Sequence, residues 1–345
     1  EDKARMLKYE YLKSIAVTVI LFCGCNAGSE EKSMVPNEQA ATWPPEVSEV
    51  SVISSLDGAG QKAMFWTPPA DEPRPLLVAL HTWSGDHRQP ESINYWQDCR
   101  ERGWVFMHPD FRGPNVQPLA CGSEAAVQDV LDAVEYAKAH AMVDTSRIYL
   151  VGCSGGGYLT LLMAGRHPEV WAAASAWVPI SDLAAWHAQC SGTDNPQRGY
   201  AENMEAVCGG APGASSAVDS SYAQRSALTW LHRAAGLKLE INAGIHDGHT
   251  GSVPVSHSLR AFNCLAAANG RPELALTDPQ IEWITTRESL PEELNGQADN
   301  DSLYGERGVL FRRQAGPARV TLFEGGHEII YRAALAWLDS QGSKY

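Results

Sequence analysis

The chain has 345 residues, 44% of them hydrophobic, which is enough to bury a large core. Its net charge is −14, and its Lys and Arg residues are scattered along the sequence. No basic patch is therefore available to bind a phosphate backbone, which argues against a nucleic-acid-binding protein. The length predicts one domain with insertions.

The N-terminal segment differs from the rest of the chain. Lys8 and Lys13 precede an apolar run from Ile15 to Cys23, and polar residues begin at Asn26. The run is well short of the roughly 20 apolar residues that cross a bilayer. Residues 1–27 are therefore interpreted as a signal peptide, and export is predicted to the periplasm, the outer membrane or the extracellular space.

Two processing routes fit this leader. Leu21 to Cys25 resembles a bacterial lipoprotein box, which would attach the chain to a membrane through a lipid on Cys25. Plain cleavage after Ala27 fits as well. Residues 28–46, rich in Ser, Glu, Asn and Pro, are typical of a tether, so the folded domain is expected to cover residues 47–345.

The elements that follow indicate an α/β fold. Two antiparallel strands come first, and short apolar runs then alternate with helical periods, which predicts a mostly parallel twisted sheet flanked by helices. The predicted strands are Val50–Ser54, Lys62–Thr67, Leu76–His81, Trp104–His108, Arg147–Val151, Trp171–Val178, Leu237–Ala243 and Val320–Phe323. The predicted helices are Ile93–Arg102, Glu124–Ala141, Gly155–Arg166, Ser256–Ala268 and Glu328–Leu338.

Two stretches interrupt this alternation. Ser181–Ser226 is rich in Gly, Ala, Ser and Asn, and Gly270–Gly316 carries prolines and acidic residues. We expect both to be insertions over the edge of the sheet where the parallel strands end, which is the functional edge of such folds.

A nucleophile is indicated at Ser154. Gly152-Cys153-Ser154-Gly155-Gly156 matches the G-x-S-x-G pattern, and it lies between a predicted buried strand and a helix. Small neighbours allow the serine to adopt a strained backbone that exposes its Oγ. The alternative interpretation is a Gly-rich turn with a capping serine, but the position directly after a buried strand favours the nucleophile.

A serine hydroxyl needs a base, and the base needs an acid. His327 lies in a Gly-Gly-His turn between a late strand and the final helix, which is the expected position of the base. Asp247 follows the strand that ends at Ala243 and is the preferred acid, with Asp182 as the fallback. His246 and His249 flank Asp247 and could line the pocket.

The oxyanion hole needs two backbone N–H donors. Gly155 is the expected first donor because it follows the nucleophile. The second should come from the loop after the Leu76–His81 strand, where Trp83 is preferred and Thr82 is the close alternative. Thr82, Trp177 and Trp186 are predicted to contact substrate, and the rings of Trp83, Trp177 and Trp186 could stack on a sugar.

Cysteines and histidines show no spacing that is typical of a metal site, and no cofactor is predicted. Six cysteines lie in the folded part, and export permits disulfides. Cys190 and Cys208 flank a polar loop and are the preferred pair, whereas Cys153 is expected to be a free, small core residue.

Several motifs together resemble the catalytic domain of prolyl-oligopeptidase-type serine hydrolases, within the α/β-hydrolase superfamily. They are Pro109 to Gly113, Gly152 to Gly157, Gly244 to Asp247 with Val253-Pro254, and Gly325 to His327. The resemblance spans roughly residues 76–338 and implies that Ser154, Asp247 and His327 form the triad. Members of this group include peptidases and also esterases such as acetylxylan esterases.

Two departures bear on the substrate. The chain before Leu76 is too short for the β-propeller that peptidases of this family usually carry, and residues 81–85 read His-Thr-Trp-Ser-Gly where the family has His-Gly-Gly. We therefore expect a hydrolase of small esters or acylated carbohydrates. The alternatives are a peptidase or amidase, in which Arg112, Glu124 or Asp182 could bind a peptide terminus, and a binding protein that lost its chemistry.

Overall fold

The computed structural model describes residues 42–296 and 299–344. The predicted signal peptide, the lipid site at Cys25 and most of the predicted tether lie outside these residues. No helix within them is long and apolar enough to cross a membrane.

Strands and helices alternate along the described chain. The strands are β1 (Ser48–Ile53), β2 (Gly60–Trp66), β3 (Arg74–Leu80), β4 (Val105–Pro109), β5 (Val143–Cys153), β6 (Ala173–Trp177), β7 (Lys238–Gly244), β8 (Val309–Ala315) and β9 (Ala318–Phe323). The α-helices are α1 (Ile93–Arg102), α2 (Glu124–His140), α3 (Gly155–Arg166), α4 (Leu183–Cys190), α5 (Arg198–Cys208), α6 (Ser216–Arg225), α7 (Ser256–Ala268), α8 (Asp278–Arg287) and α9 (Tyr331–Ser340).

The nine strands form one twisted sheet in the order β1-β2-β4-β3-β5-β6-β7-β9-β8. The six neighbouring strands β4, β3, β5, β6, β7 and β9 are parallel to one another. At the edges, β2 and β8 run antiparallel to them, and β1 pairs antiparallel with β2. Continuous apolar runs in the central strands are buried on both faces. The predicted α/β architecture is confirmed.

The insertions differ from their predicted description in one respect. Ser181–Ser226 carries the helices α4, α5 and α6, and the second stretch carries α8. The same stretch also supplies β8, which pairs with β9 at the edge of the sheet and was not predicted. Charged residues such as Arg312 and Arg313 interrupt the apolar pattern of β8, because an edge strand is only half buried.

Cys190 and Cys208 do not form the predicted disulfide. Both thiols are free, as are the other four cysteines of the described chain. The Sγ of Cys190 lies 3.8 Å from Oε1 of Gln197, so it contacts the polar loop that it was expected to close. Cys153 is free, as predicted.

A close approach between α3 and β3 sets the position of the strand-to-helix turn. A Cβ atom added to Gly156 would collide with the carbonyl oxygen of Leu80, and backbone atoms cannot move aside cheaply. In contrast, Gly199 in α5 is surrounded by open space.

These two glycines give a matched pair of stability tests. We expect Gly156→Ala to lower the free energy of unfolding by about 3 kcal/mol or more, because of the backbone collision. Gly199→Ala should raise it by up to about 1 kcal/mol, since Ala favours a helix over Gly. Urea unfolding followed by circular dichroism measures both, and equal stability of the two variants would contradict the packing described for Gly156.

Candidate active site

Ser154 occupies a strained turn between β5 and α3. Its φ is 59° and its ψ is −119°, a conformation that L side chains rarely adopt. The N–H of Ser154 donates to the carbonyl oxygen of Trp177 at 2.9 Å, which ties the turn to β6. The sharp turn holds the Ser154 side chain at the carboxyl end of β5, where the chain enters α3.

Two hydrogen bonds connect Ser154 with His327 and Asp247. The Oγ of Ser154 lies 2.8 Å from Nε2 of His327, and Nδ1 of His327 lies 2.8 Å from Oδ2 of Asp247. The three residues follow β5, β9 and β7, whose carboxyl ends meet at one edge of the sheet. The structure therefore brings together the three residues predicted as the triad.

The Asp247 carboxylate is held from several sides. It is 1% exposed, and its Oδ1 accepts hydrogen bonds from the N–H groups of Gly248 and Val253 at 2.9 and 3.2 Å. These bonds leave Oδ2 aimed at His327. The fallback acid, Asp182, instead caps α4 and accepts from the N–H groups of Ala184 and Ala185.

The backbone of Trp83 lies directly against Gly155. A Cβ atom on Gly155 would collide with the nitrogen and Cα of Trp83, so the two predicted oxyanion donors are adjacent. The N–H of Thr82 is already used, because it donates to Oε1 of Gln89 at 2.9 Å. Trp83 is therefore the better second donor of the two candidates.

Gln89 is a residue of the site that sequence reasoning missed. Its Oε1 accepts from both the N–H and the hydroxyl of Thr82, at 2.9 and 2.8 Å. The N–H of Asn115 donates to the carbonyl oxygen of Trp83 at 2.8 Å and holds the same loop from the other side. Neither contact has a signal in the sequence, since each depends on how two loops pack.

A cavity of about 760 Å³ opens beside Ser154 and His327. One part of its lining is apolar or aromatic, and another part is acidic. The lining includes Thr82, Trp83, Ser84, Asp86, Arg88, Gln89, Glu91, Tyr95, Cys153, Tyr200, Ser252, Glu328, Ile329 and Tyr331. Thr82 thus lines the cavity, as expected of a residue that contacts substrate.

Two of the predicted substrate-binding tryptophans lie elsewhere. Trp177 is fully buried, donates through Nε1 to Ser175 Oγ and packs against Tyr304 and Phe323 in the core. Trp186 is also buried, and its ring packs edge-on against Trp83, which lines the cavity. Both predictions are wrong, because the large apolar surface of these rings is used for packing.

The electrostatics of the cavity are dominated by carboxylates. Asp86, Glu91 and Glu328 belong to the lining, whereas the guanidinium of Arg88 donates to the carboxylate of Glu49. Burial raises the pKa of the Cys153 thiol, which keeps this neighbour of Ser154 neutral. Within residues 42–296 and 299–344, no group of three or more His, Cys, Asp or Glu side chains is arranged to hold a metal ion.

Residues 122–282 match the Prolyl oligopeptidase family. The matched segment makes up a little less than half of the chain. The matched segment contains Ser154 and Asp247, and His327 lies beyond its end. The predicted resemblance to this family is confirmed.

Curated relatives of the family domain include esterases and peptidases. Feruloyl esterase B of Thermothelomyces thermophilus is 24% identical over 144 residues, which are 38% of this chain and 48% of the relative. Acylamino-acid-releasing enzyme 1 of Oryza sativa subsp. japonica is 29% identical over 136 residues, which are 35% of this chain and 17% of the relative. Dipeptidyl aminopeptidase BIII of Pseudoxanthomonas mexicana is 25% identical over 193 residues, which are 52% of this chain and 27% of the relative. The chain thus spans less than half the length of these relatives.

Solved structures show the same fold. A puromycin-hydrolyzing peptidase of Mycobacterium tuberculosis superposes with a TM-score of 0.57 at 17% identity, over 90% of this chain and 42% of that one. An acylaminoacyl peptidase of Pyrococcus horikoshii superposes with a TM-score of 0.53 at 17% identity, over 65% of this chain and 35% of that one. The fold is the α/β-hydrolase fold, as predicted, and the comparisons together support a serine hydrolase domain.

The role of Gln89 can be tested without a substrate. We expect Gln89→Ala to release the N–H of Thr82 and to speed amide hydrogen exchange at Thr82 and Trp83 by about 5-fold, because a net hydrogen bond is worth about 1 kcal/mol. Gln97→Ala, on the exposed side of α1, is the control and should leave exchange in this loop unchanged. Unchanged exchange in both variants would show that the loop is held by other contacts.

Proposed function

We propose that the chain is a serine hydrolase that cleaves carboxylic esters through an acyl-enzyme intermediate. The observation that carries this function is the continuous chain of hydrogen bonds from Ser154 Oγ through His327 to the buried Asp247. Such a chain supplies a nucleophile, a base and an orienting carboxylate within bonding distance.

Acylation starts when Nε2 of His327 takes the hydroxyl proton and Ser154 Oγ attacks the ester carbonyl. Negative charge develops on the carbonyl oxygen, and the N–H groups of Gly155 and Trp83 would bind it. The imidazolium of His327 then protonates the leaving alcohol as the carbon–oxygen bond breaks. Asp247 holds the required tautomer and stabilises the imidazolium throughout.

Deacylation repeats these steps with water. His327 accepts a proton from a water molecule, whose oxygen attacks the acyl carbonyl of Ser154. The tetrahedral intermediate uses the same two N–H donors, and it collapses with release of a carboxylic acid and return of the proton to Ser154 Oγ.

Esters are favoured because, in the part of the chain that the structure describes, no unpaired cation lines the cavity to bind a peptide carboxylate. Arg88 is bound to Glu49, and Arg112 is bound to Asp57 and Asp129. The other residues considered for a peptide terminus are engaged as well, since Glu124 pairs with Arg166 and Asp182 caps α4. An ester needs no such charged anchor.

One observation supports a peptidase or amidase as the second candidate. The carboxylates of Asp86 and Glu91 line the cavity and could bind the ammonium group of a peptide N-terminus, whereas Glu328, which also lines it, already pairs with Arg307. A dipeptidyl aminopeptidase is among the relatives. The same triad would then cleave an amide bond.

We extend the proposal to acylated carbohydrates on the basis of Tyr200, a partly exposed aromatic residue that lines the cavity. We also propose export, with cleavage near Ala27 or lipidation of Cys25. This part rests only on the sequence of residues 1–27.

A matched pair of substrates separates the two candidates. The purified chain from residue 28 onwards should hydrolyse a chromogenic acetyl ester with a higher kcat/KM than an aminoacyl anilide. Ser154→Ala should reduce turnover of both by at least about 10³-fold, because the nucleophile is lost. Faster anilide turnover would favour the peptidase, and equal rates for wild type and Ser154→Ala would exclude Ser154 as the nucleophile.

The choice of acid is tested by two isosteric variants. Asp247→Asn should lower kcat by up to about 10⁴-fold, because the amide can no longer hold His327 in the required tautomer. Asp182→Asn should leave kcat and stability nearly unchanged, since Asn caps a helix as well as Asp does. Comparable losses of kcat in the two variants would contradict the assignment of Asp247.

A further inference from the structure

His246 lies beside Asp247 but does not line the cavity. Its Nε2 lies 2.6 Å from a carboxylate oxygen of Glu324, and its Nδ1 lies 2.8 Å from one of Glu288. Glu324 directly follows β9 in the turn that leads to His327, and Glu288 ends α8 in the second insertion. One imidazole ring therefore connects the turn of the acid with two other segments.

The backbone reinforces this connection. The N–H of His246 donates to the carbonyl oxygen of Gly325 at 3.0 Å, so the two turns are joined through main chain and side chain. His249 adds a second contact to the insertion, with its Nε2 2.7 Å from the carbonyl oxygen of Thr285. Glu288 adopts a left-handed conformation with φ 50°, an unfavourable one that points to a constrained position.

The two carboxylates define the protonation state of His246. A neutral imidazole has one N–H, whereas both ring nitrogens here face an anionic oxygen. Only the imidazolium can donate to both carboxylates at once. The connection is therefore complete when His246 is positively charged, and one of its two bonds is lost when the ring is neutral.

We propose that His246 is a positioning residue, which as an imidazolium joins the Asp247 turn to the His327 turn and to the end of α8. The role depends on the proposed function, because what it keeps in register is the hydrogen bond between Asp247 and His327. The second insertion then has a positioning role as well, because the end of α8 supports the turn of Asp247 from outside the cavity.

The direction of the pH dependence follows from the charges around the ring. The carboxylate of Glu324, followed by that of Glu288, raises the pKa of His246 above its ordinary value of 6.5. The other titratable groups nearby are His249, which lies 3.5 Å from Glu288, and the Arg307–Glu328 pair, to which Glu324 connects through its N–H. A raised pKa means that the stabilisation is fully present below about pH 6.5 and is lost as pH rises through the raised value.

Solvent contact sets the size of the effect. The His246 and Glu288 side chains are each 34% exposed, so salt screens their attraction. We therefore expect a modest change in kcat rather than its loss. A roughly 10-fold decrease for His246→Gln lies well below the 10²-fold that a displacement of about 1 Å in the reacting groups costs.

The test combines pH profiles of kcat with an NMR signal that needs no substrate. His246→Gln should lower kcat near pH 7, leave KM unchanged and remove an alkaline limb that the wild type shows. Glu288→Gln should move this limb to lower pH, because one carboxylate no longer stabilises the imidazolium. Glu282→Gln removes the same charge from an exposed position on α8 and should give the wild-type profile.

The low-field resonance of the proton between His327 Nδ1 and Asp247 gives the independent readout. In wild type it should change over the pH range in which His246 loses its proton, and in His246→Gln it should not. Wild-type behaviour of both His246→Gln and Glu288→Gln in profile and resonance would overturn the positioning role. If the chain hydrolyses neither ester nor anilide, the proposed function fails, and the resonance alone still decides the role of His246. If His246→Gln does not fold, the pH profile and the resonance of Glu288→Gln test the positioning role of His246 instead.

Discussion

The active site depends on the close packing of backbone against backbone around Ser154. The turn holds a serine at φ 59°, a conformation that costs on the order of 1–3 kcal/mol and persists only where its surroundings enforce it. Here β5 and α3 enforce it, because Gly152 and Gly156 pack backbone against backbone and Gly155 lies against Trp83. The same contacts that strain the serine also bring the two oxyanion donors together.

The parallel order of the strands then brings the three triad residues together. Parallel strands end at one edge of a sheet, so the residues after β5, β7 and β9 meet there, although they are far apart in sequence. The fold alone does not choose a substrate, and its relatives include both esterases and peptidases. The choice lies in the lining: the carboxylates of Asp86 and Glu91 and the aromatic ring of Tyr200 come from loops and an inserted helix.

The sequence was most informative where a local pattern determines structure. Ile93–Arg102, Gly155–Arg166 and Ser256–Ala268 were predicted with their observed bounds, since amphipathic periods and flanking glycine or serine mark helix ends. Ser154, Asp247 and His327 could be selected because each follows a strand.

Contacts between segments that are distant in sequence could not be predicted from it. The partners of Gln89, the edge strand β8 and the burial of Trp177 and Trp186 all depend on tertiary packing. A tryptophan near a strand end has the same local sequence whether it faces a cavity or the core. The free state of Cys190 and Cys208 belongs to the same class, because loop composition does not fix the distance between two thiols.

The two hydrogen bonds of Ser154, His327 and Asp247 have a consequence for folding. They join residues that are 173 and 80 positions apart, so they close long loops that lose much entropy. Proteins dominated by such distant pairings fold slowly, and local helices form long before them. During refolding the triad should therefore assemble among the last contacts, after most helical structure has returned, and recovery of activity would report completion of the whole sheet.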